Sequence, residues 1–238
     1  MSDEKALVEE YLSHFNNGVS KNTTVVSPQE LGQRWLYHIS VNSKIKQFIP
    51  ALTQRTAQKE DRTIPRISVA PTIIGCLIGY QGDIYDFMDN GDESTWRGGW
   101  YIYGFENECS VLPTNKILTD ASRTDERWLV PYRADKWNYP SKLVGKFFYR
   151  NLQLEKRKKV EVWTAEAVFE VSRGCEVRVM NGLTLKEGFW TFSFVRSVTE
   201  WKQGVAENVR ELSASEWRSM KGLHADLLSY TEAASSNW

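Results

Sequence analysis

Apolar residues recur at helical spacing near both ends of the chain. Residues 4–15 carry an apolar side chain every three or four positions, which predicts an amphipathic helix that Asn16-Asn17-Gly18 ends. Residues 213–230 show the same spacing and predict a closing helix. Between them, residues 19–26 are polar and predict a loop, and Ser27-Pro28-Gln29-Glu30 has the capping signature of a short helical turn.

The central part of the chain alternates strand patterns with breakers. Aromatic and branched residues predict short strands at Trp35–Ser40, at Ile67–Val69, at residues 100–105 and at residues 128–132. A buried helix is predicted to begin near Pro71 and to reach Tyr80. Residues 47–66 are charged and polar and predict a long exposed connection, while the acidic, glycine-bearing residues 83–99 predict a loop.

Strict alternation of apolar and polar residues dominates the last third of the chain. It predicts strands at residues 159–171, 176–179 and 188–195, with Asn181-Gly182 as a hairpin turn. The whole pattern predicts an α+β fold with largely antiparallel β-sheets and helices at both ends. We divide it into an N-terminal helix and linker (1–30), a central domain (31–150) and a β-rich extension (151–238), which could form one continuous domain with the centre.

Charge and cysteine content narrow the class of protein. The 238 residues hold 30 basic and 30 acidic side chains, so no overall field draws the chain to nucleic acid or to an anionic membrane. Its three cysteines are far apart, which argues against a disulfide framework or a paired-cysteine zinc site and favours a reducing cytoplasm. The charged N-terminus and the lack of an 18-residue apolar run predict no signal peptide and no spanning helix.

Aromatic residues are abundant, with ten each of Trp, Tyr and Phe. They could clamp a planar ligand or fill a large β-rich core, and both readings stay open at this point. Familiar catalytic signatures are missing: there is no phosphate-binding Gly-Lys-Ser/Thr loop, no His-Glu-x-x-His and no nucleophile elbow.

Three short segments carry candidate chemistry, centred on His38, Ser68 and Glu126. Their order resembles the ADP-ribosyltransferase fold in its poly(ADP-ribose) polymerase and diphtheria-toxin branch. Tyr37-His38-Ile39-Ser40 resembles the first motif, with Ile39 where glycine is usual. Ser68 stands at the tyrosine of the second motif, ahead of a helix, and Glu126 heads an apolar strand as in the third. The resemblance covers roughly residues 35–149.

The resemblance implies NAD as a substrate and ADP-ribose transfer to a protein or nucleic-acid acceptor. Glu126 would stabilise positive charge on the ribose, and His38, assisted by Ser40, would bind a ribose hydroxyl. Stand-alone proteins of this kind often act in conflict between mobile elements and their hosts. The further residues expected to contact NAD are Tyr37, Ser68 and Tyr80 near the nicotinamide, and Arg66 near the phosphates, in a basic stretch with Arg55, Lys59 and Arg62.

Ordinary structural roles remain open for the same residues. A strand histidine such as His38 is often satisfied by a carbonyl, and Glu126 lies among charged residues typical of a solvated turn. The alternative function is a non-catalytic module that binds nucleic acid or protein, which Ser68 in place of tyrosine favours. Its predicted surface combines basic and aromatic side chains: Lys142, Lys146, Phe147, Tyr149, Arg150, Lys156 and Arg157.

Overall fold

A computed structural model describes residues 2–15, 18–52, 60–81, 99–119, 121–133, 137–157, 160–197 and 205–216. These residues form an α+β structure of mostly antiparallel sheets, as predicted. The helices are α1 (Ser2–Ser13), α2 (Pro28–Leu31), α3 (Ile73–Gln81) and α4 (Ala121–Thr124). The strands are β1 (Thr23–Val26), β2 (Trp35–Ser40), β3 (Gln47–Phe48), β4 (Ile67–Val69), β5 (Trp100–Glu106), β6 (Ser110–Pro113), β7 (Arg127–Leu129), β8 (Tyr139–Pro140), β9 (Lys142–Arg157), β10 (Val160–Met180), β11 (Leu183–Ser197) and β12 (Val205–Glu211).

The strands form two larger sheets and one small one. A four-stranded sheet has the order β1-β6-β7-β4, a six-stranded sheet has the order β12-β11-β10-β9-β5-β2, and β3 pairs with β8. The two larger sheets meet where Tyr37 of β2 faces Ala70, just after β4. The amide of each residue donates to the carbonyl of the other, at 2.8 and 2.9 Å. Strands β7, β4 and β2 therefore lie side by side.

A row of aromatic rings crosses the six-stranded sheet. Trp100, Phe147, Phe169 and Phe192 stand on β5, β9, β10 and β11, and consecutive rings stack at 5.1, 5.0 and 5.2 Å between centroids. All four side chains are buried. For these residues the core explanation of the aromatic content is correct, because cross-strand neighbours on one face of a sheet bring flat rings into contact.

Helix α3 packs against β2 and β10 of the six-stranded sheet, with Ile73 and Leu77 in the core. Thr72 caps it, since its Oγ1 accepts the Gly75 amide at 3.0 Å. A Cβ at Gly75 would lie 2.7 Å from the Thr124 carbonyl oxygen, so only glycine allows this approach of α3 to α4. The predicted helix from Pro71 to Tyr80 is confirmed, with its first turn moved to Ile73.

Several local predictions are confirmed. The first helix forms as α1, and Ser27 and Glu30 make both hydrogen bonds of a capping box on α2. Asn181-Gly182 forms the turn that connects β10 to β11, with Gly182 at a φ of 81°. Residues 214–216 are helical, and residues 217–230 of the predicted closing helix and residues 83–98 of the predicted loop lie outside the described residues.

The prediction of a loop at residues 19–26 is wrong for its second half. Thr23–Val26 is strand β1, paired in antiparallel register with β6. Four β-branched residues in a row favour an extended backbone, and an edge strand tolerates polar side chains on its outer face. The segment read as polar loop is therefore an edge strand.

The long exposed connection at residues 47–66 is also wrong in part. It contains β3, and Ala51 pairs with Arg66, which is buried. Residues 53–59, with Arg55 and Lys59, lie outside the described residues. The predicted boundary at residue 150 falls inside β9, whose pairing with β10 continues across it.

Within the part of the chain that the structure describes, every helix is too short or too polar to span a membrane.

Candidate functional site

The three segments that carry candidate chemistry are brought together by neighbouring strands. His38 lies on β2, Ser68 is the middle residue of β4, and Glu126 immediately precedes β7. Ser68 is paired with Trp128 of β7 on one side, and the Tyr37–Ala70 junction joins β4 to β2 on the other. Residues far apart in the chain thus meet around β4.

His38 is half-buried and bonds to the backbone of β4. Its Nδ1 lies 2.9 Å from the Ser68 carbonyl oxygen, and its ring packs edge-on against Phe48 at 4.8 Å. Because a carbonyl oxygen only accepts, Nδ1 must carry the proton. Burial lowers the pKa of the imidazole, outweighing the opposite effect of this hydrogen bond. The neutral ring therefore presents Nε2 as an acceptor.

The position of His38 has a structural reason. The backbone N–H and C=O groups of Arg66 point away from β7 and bond to Ala51. Those of Ala70 also point away from β7 and bond to Tyr37. Alternate residues of a strand point the same way, so the Ser68 carbonyl between them also faces outward. The His38 Nδ1 N–H donates to that carbonyl. This is the ordinary structural role expected for a strand histidine, and it uses one of the two ring nitrogens.

Glu126 is held by hydrogen bonds rather than solvated in a turn. Its Oε1 accepts the Trp128 indole N–H at 3.0 Å, and the Ser68 hydroxyl also bonds to the carboxylate. Asp125, at a φ of 49°, turns the chain into this position. A Cβ at Gly79 would lie 3.7 Å from Oε2, so α3 runs past the carboxylate. Burial raises the pKa of Glu126.

Ser68 is the residue that links the other two. Its carbonyl binds His38 and its hydroxyl binds Glu126, while the residue itself is exposed to solvent. The site is therefore reachable from the surface at the point where its partners converge.

Arg66 is buried against Trp128 and does not lie on an exposed loop. Its guanidinium, in a residue only 5% exposed, stacks over the Trp128 ring at 4.3 Å and forms an ion pair with Glu60. It also donates to the Asp61 carbonyl at 2.8 Å. This positive charge favours the ionised form of Glu126 and so lowers its pKa, against the larger effect of burial.

Of the two tyrosines expected near the nicotinamide, Tyr37 does not share the face of β2 that carries His38. Tyr37 is on the opposite face of β2, because neighbouring strand residues point to opposite faces. Its hydroxyl accepts the Arg178 amide at 3.1 Å, and burial raises the pKa of Tyr37 to about 12. Ser40 shares the face of His38, and its hydroxyl accepts the Asn42 amide at 3.1 Å. The Tyr80 side chain lies outside the described part of the structure.

The predicted basic and aromatic surface is wrong in its aromatic members. Phe147 and Tyr149 are buried in the core of the six-stranded sheet, so their rings cannot stack on bases. Lys146 pairs with Glu170 at 2.7 Å. Lys142 remains exposed. The side chains of Arg150, Lys156 and Arg157 lie outside the described residues.

Trp128 also contacts Glu126, although the sequence motifs did not single it out. It lies two residues beyond Glu126, at the spacing that places side chains on one face of a strand, and an indole N–H two positions from a carboxylate could have been noticed. Phe48 and Glu60 gave no such signal, because only the tertiary fold brings them to His38 and Arg66.

No cluster of metal-binding side chains occurs among the described residues. Comparison of the chain with known protein families, with curated proteins and with solved structures found no match. The candidate site therefore depends on the geometry of His38, Ser68 and Glu126.

Proposed function

We propose that this chain is an ADP-ribosyltransferase-like protein that binds NAD beside His38 and Glu126 and transfers ADP-ribose to a protein or nucleic-acid acceptor. The observation that supports it is the convergence at Ser68, which bonds to His38 through its carbonyl and to Glu126 through its hydroxyl. The three segments picked out by the resemblance thus form one contiguous, solvent-accessible group.

The chemistry assigns a role to each side chain. The bond between ribose C1′ and nicotinamide breaks, and its electron pair leaves with nicotinamide, so positive charge develops on the ribose. The Glu126 carboxylate stabilises that charge and takes the proton of the acceptor group as its lone pair bonds to C1′. His38 Nε2, an acceptor in the neutral tautomer, binds a ribose hydroxyl. Trp128 holds the Glu126 carboxylate in place at 3.0 Å.

A second candidate is a non-catalytic binding module on the same fold. Two observations favour it: Ser68 stands where the resembling family has tyrosine, and Tyr37 faces away from His38. A nucleic-acid ligand fits this module less well than a protein, because Phe147 and Tyr149 are buried.

The experiment that tests the proposal is a thermal-shift titration with NAD and with a non-hydrolysable NAD analogue, on the wild type, His38→Asn and Glu126→Gln. His38→Asn keeps an N–H donor towards the Ser68 carbonyl while removing Nε2. We expect NAD to raise the melting temperature of the wild type and of Glu126→Gln, and to have little effect on His38→Asn.

Transfer of labelled ADP-ribose separates the two candidates. Glu126→Gln should lower the transfer rate by at least about 100-fold, since the electrostatic stabilisation of the ribose is lost. A thermal shift without transfer by the wild type would support the non-catalytic module. No thermal shift at millimolar NAD, in a folded protein, would contradict the NAD site itself.

A further inference from the structure

Large apolar side chains are exposed together in one region of the molecule. Among the described residues, six such side chains are strongly exposed, and five of them come from two short segments. Those five are Val41, Ile49, Leu52, Trp137 and Leu143, and we call the area that they form with the β3–β8 pair the β3–β8 surface. Ile49, Leu52 and Trp137 are 59, 54 and 53% exposed, so more than half of each is open to solvent.

Hydrogen bonds bring the two segments together. Strand β3 pairs with β8, and the Ser141 amide donates to the Lys46 carbonyl at 3.3 Å. The Tyr103 hydroxyl donates to the Asn42 carbonyl at 2.6 Å, and Tyr103 is also the β5 partner of Leu143. Residues 41–52 and 137–143 therefore belong to one side of the protein.

The charged residues within the two segments are all lysines. Lys44, Lys46 and Lys142 are exposed within the two segments, which contain no Asp or Glu. The two segments therefore contribute only positive side chains, in a chain whose total charge is zero.

We propose that the β3–β8 surface docks an acidic segment of a partner protein that also carries apolar side chains, with Trp137 as the central anchor. Tryptophan is enriched among the residues that contribute most to protein–protein binding, and a polar rim usually surrounds them. Four of the five exposed side chains are aliphatic and cannot stack on bases, which favours protein over single-stranded nucleic acid.

The surface adjoins the candidate site. Phe48 of β3 has its ring 4.8 Å from that of His38 and faces away from the solvent side of the pair. A docked segment would therefore lie on the other side of β3 from His38. The inference that the docked segment is the ADP-ribose acceptor rests on the proposed function, whereas the docking itself does not require NAD.

The test is a fluorescence-anisotropy titration with a labelled peptide that alternates Glu and Leu. The same peptide with Lys in place of Glu and an oligothymidine serve as comparison probes. We expect saturable binding of the acidic peptide, weakened at least about tenfold by Trp137→Ala and, separately, by Lys46→Glu with Lys142→Glu. The lysine peptide should not bind.

Matched control variants replace similar side chains elsewhere. Val209→Ser removes an exposed apolar side chain and Lys21→Glu reverses an exposed charge, and both should leave binding unchanged. The NAD thermal shift should persist in Trp137→Ala, so failure of docking and failure of the NAD site give different results.

Three outcomes would overturn the proposal. One is no saturable binding of the acidic peptide up to millimolar protein, or binding that Trp137→Ala does not weaken. Another is tighter binding of oligothymidine, which would assign the surface to nucleic acid. The third is self-association in sedimentation that Trp137→Ala abolishes, which would assign it to a second copy of the chain.

Discussion

At the scale of single residues, Glu126 is subject to opposing effects. Burial favours the protonated carboxyl, and this effect is the larger, so the pKa is raised. The Ser68 and Trp128 hydrogen bonds and the Arg66 charge favour the carboxylate. A carboxylate so placed is costly to the fold but suited to accept a proton, and that combination is common at functional sites.

The cost of the ionised Glu126 predicts a pH dependence. Because the folded pKa is raised, the stability contributed by this group is complete below the unfolded pKa of about 4.3 and is lost as pH rises through the folded value. Glu126→Gln carries no charge and should therefore gain stability relative to the wild type between about pH 4 and 7. Urea unfolding at both pH values measures the difference; an advantage that stays constant with pH would contradict the raised pKa.

His38 predicts the opposite slope. Burial lowers its pKa, so its contribution to stability is complete above the unfolded value of about 6.5 and is lost as pH falls through the folded value. His38→Asn keeps a donor for the Ser68 carbonyl but does not titrate. Between about pH 6.5 and 5 the wild type should lose stability relative to His38→Asn. Thermal melts across this range test it, and parallel curves would be the contrary result.

At the scale of elements, the lack of a Cβ at Gly75 sets how closely helix α3 approaches α4. A Cβ at Gly75 would meet backbone, the Thr124 carbonyl oxygen at 2.7 Å, whereas a Cβ at Gly79 would make only an ordinary contact at 3.7 Å. Both glycines lie in the same helix. Their different surroundings make them a natural pair of variants.

Gly75→Ala should destabilise the protein by about 1–3 kcal/mol, because α3 and α4 must move apart. Gly79→Ala should be neutral or stabilise it by up to about 1 kcal/mol, since alanine is the better helix former. Chemical denaturation of the two variants under the same conditions provides the measurement. Equal effects would mean that the close approach at Gly75 does not limit the packing.

At the scale of the whole molecule, the candidate site exists only where the two larger sheets meet. His38 belongs to the six-stranded sheet, and Ser68 belongs to the four-stranded sheet. Their contact depends on the paired hydrogen bonds between Tyr37 and Ala70. We therefore expect the site to form and to be lost together with the junction of the sheets.

Hydrogen exchange gives the corresponding measurement. The amides of Tyr37 and Ala70 are both donors in the junction, so both should exchange only in the opening that separates the sheets. Their free energies of exchange should agree, and a variant that weakens the junction should lower both equally. Fast exchange of one amide beside a protected partner would show that the sheets open independently.

Local pattern determined much of this protein. The spacing of apolar residues predicted α1, and the apolar stretch after Pro71 predicted α3. Residue types predicted β2 and β4, and Ser27 with Glu30 predicted the cap of α2. These features depend on neighbours within a few positions. The order of the motifs also singled out His38, Ser68 and Glu126. Only the tertiary structure decided what they contact. Arg66, expected in an exposed loop, packs over the Trp128 ring, and Phe147 and Tyr149, expected on the surface, lie in the core. Ser68 bonds to both His38 and Glu126. Burial and strand pairing join residues distant in the chain, and no local pattern encodes that distance.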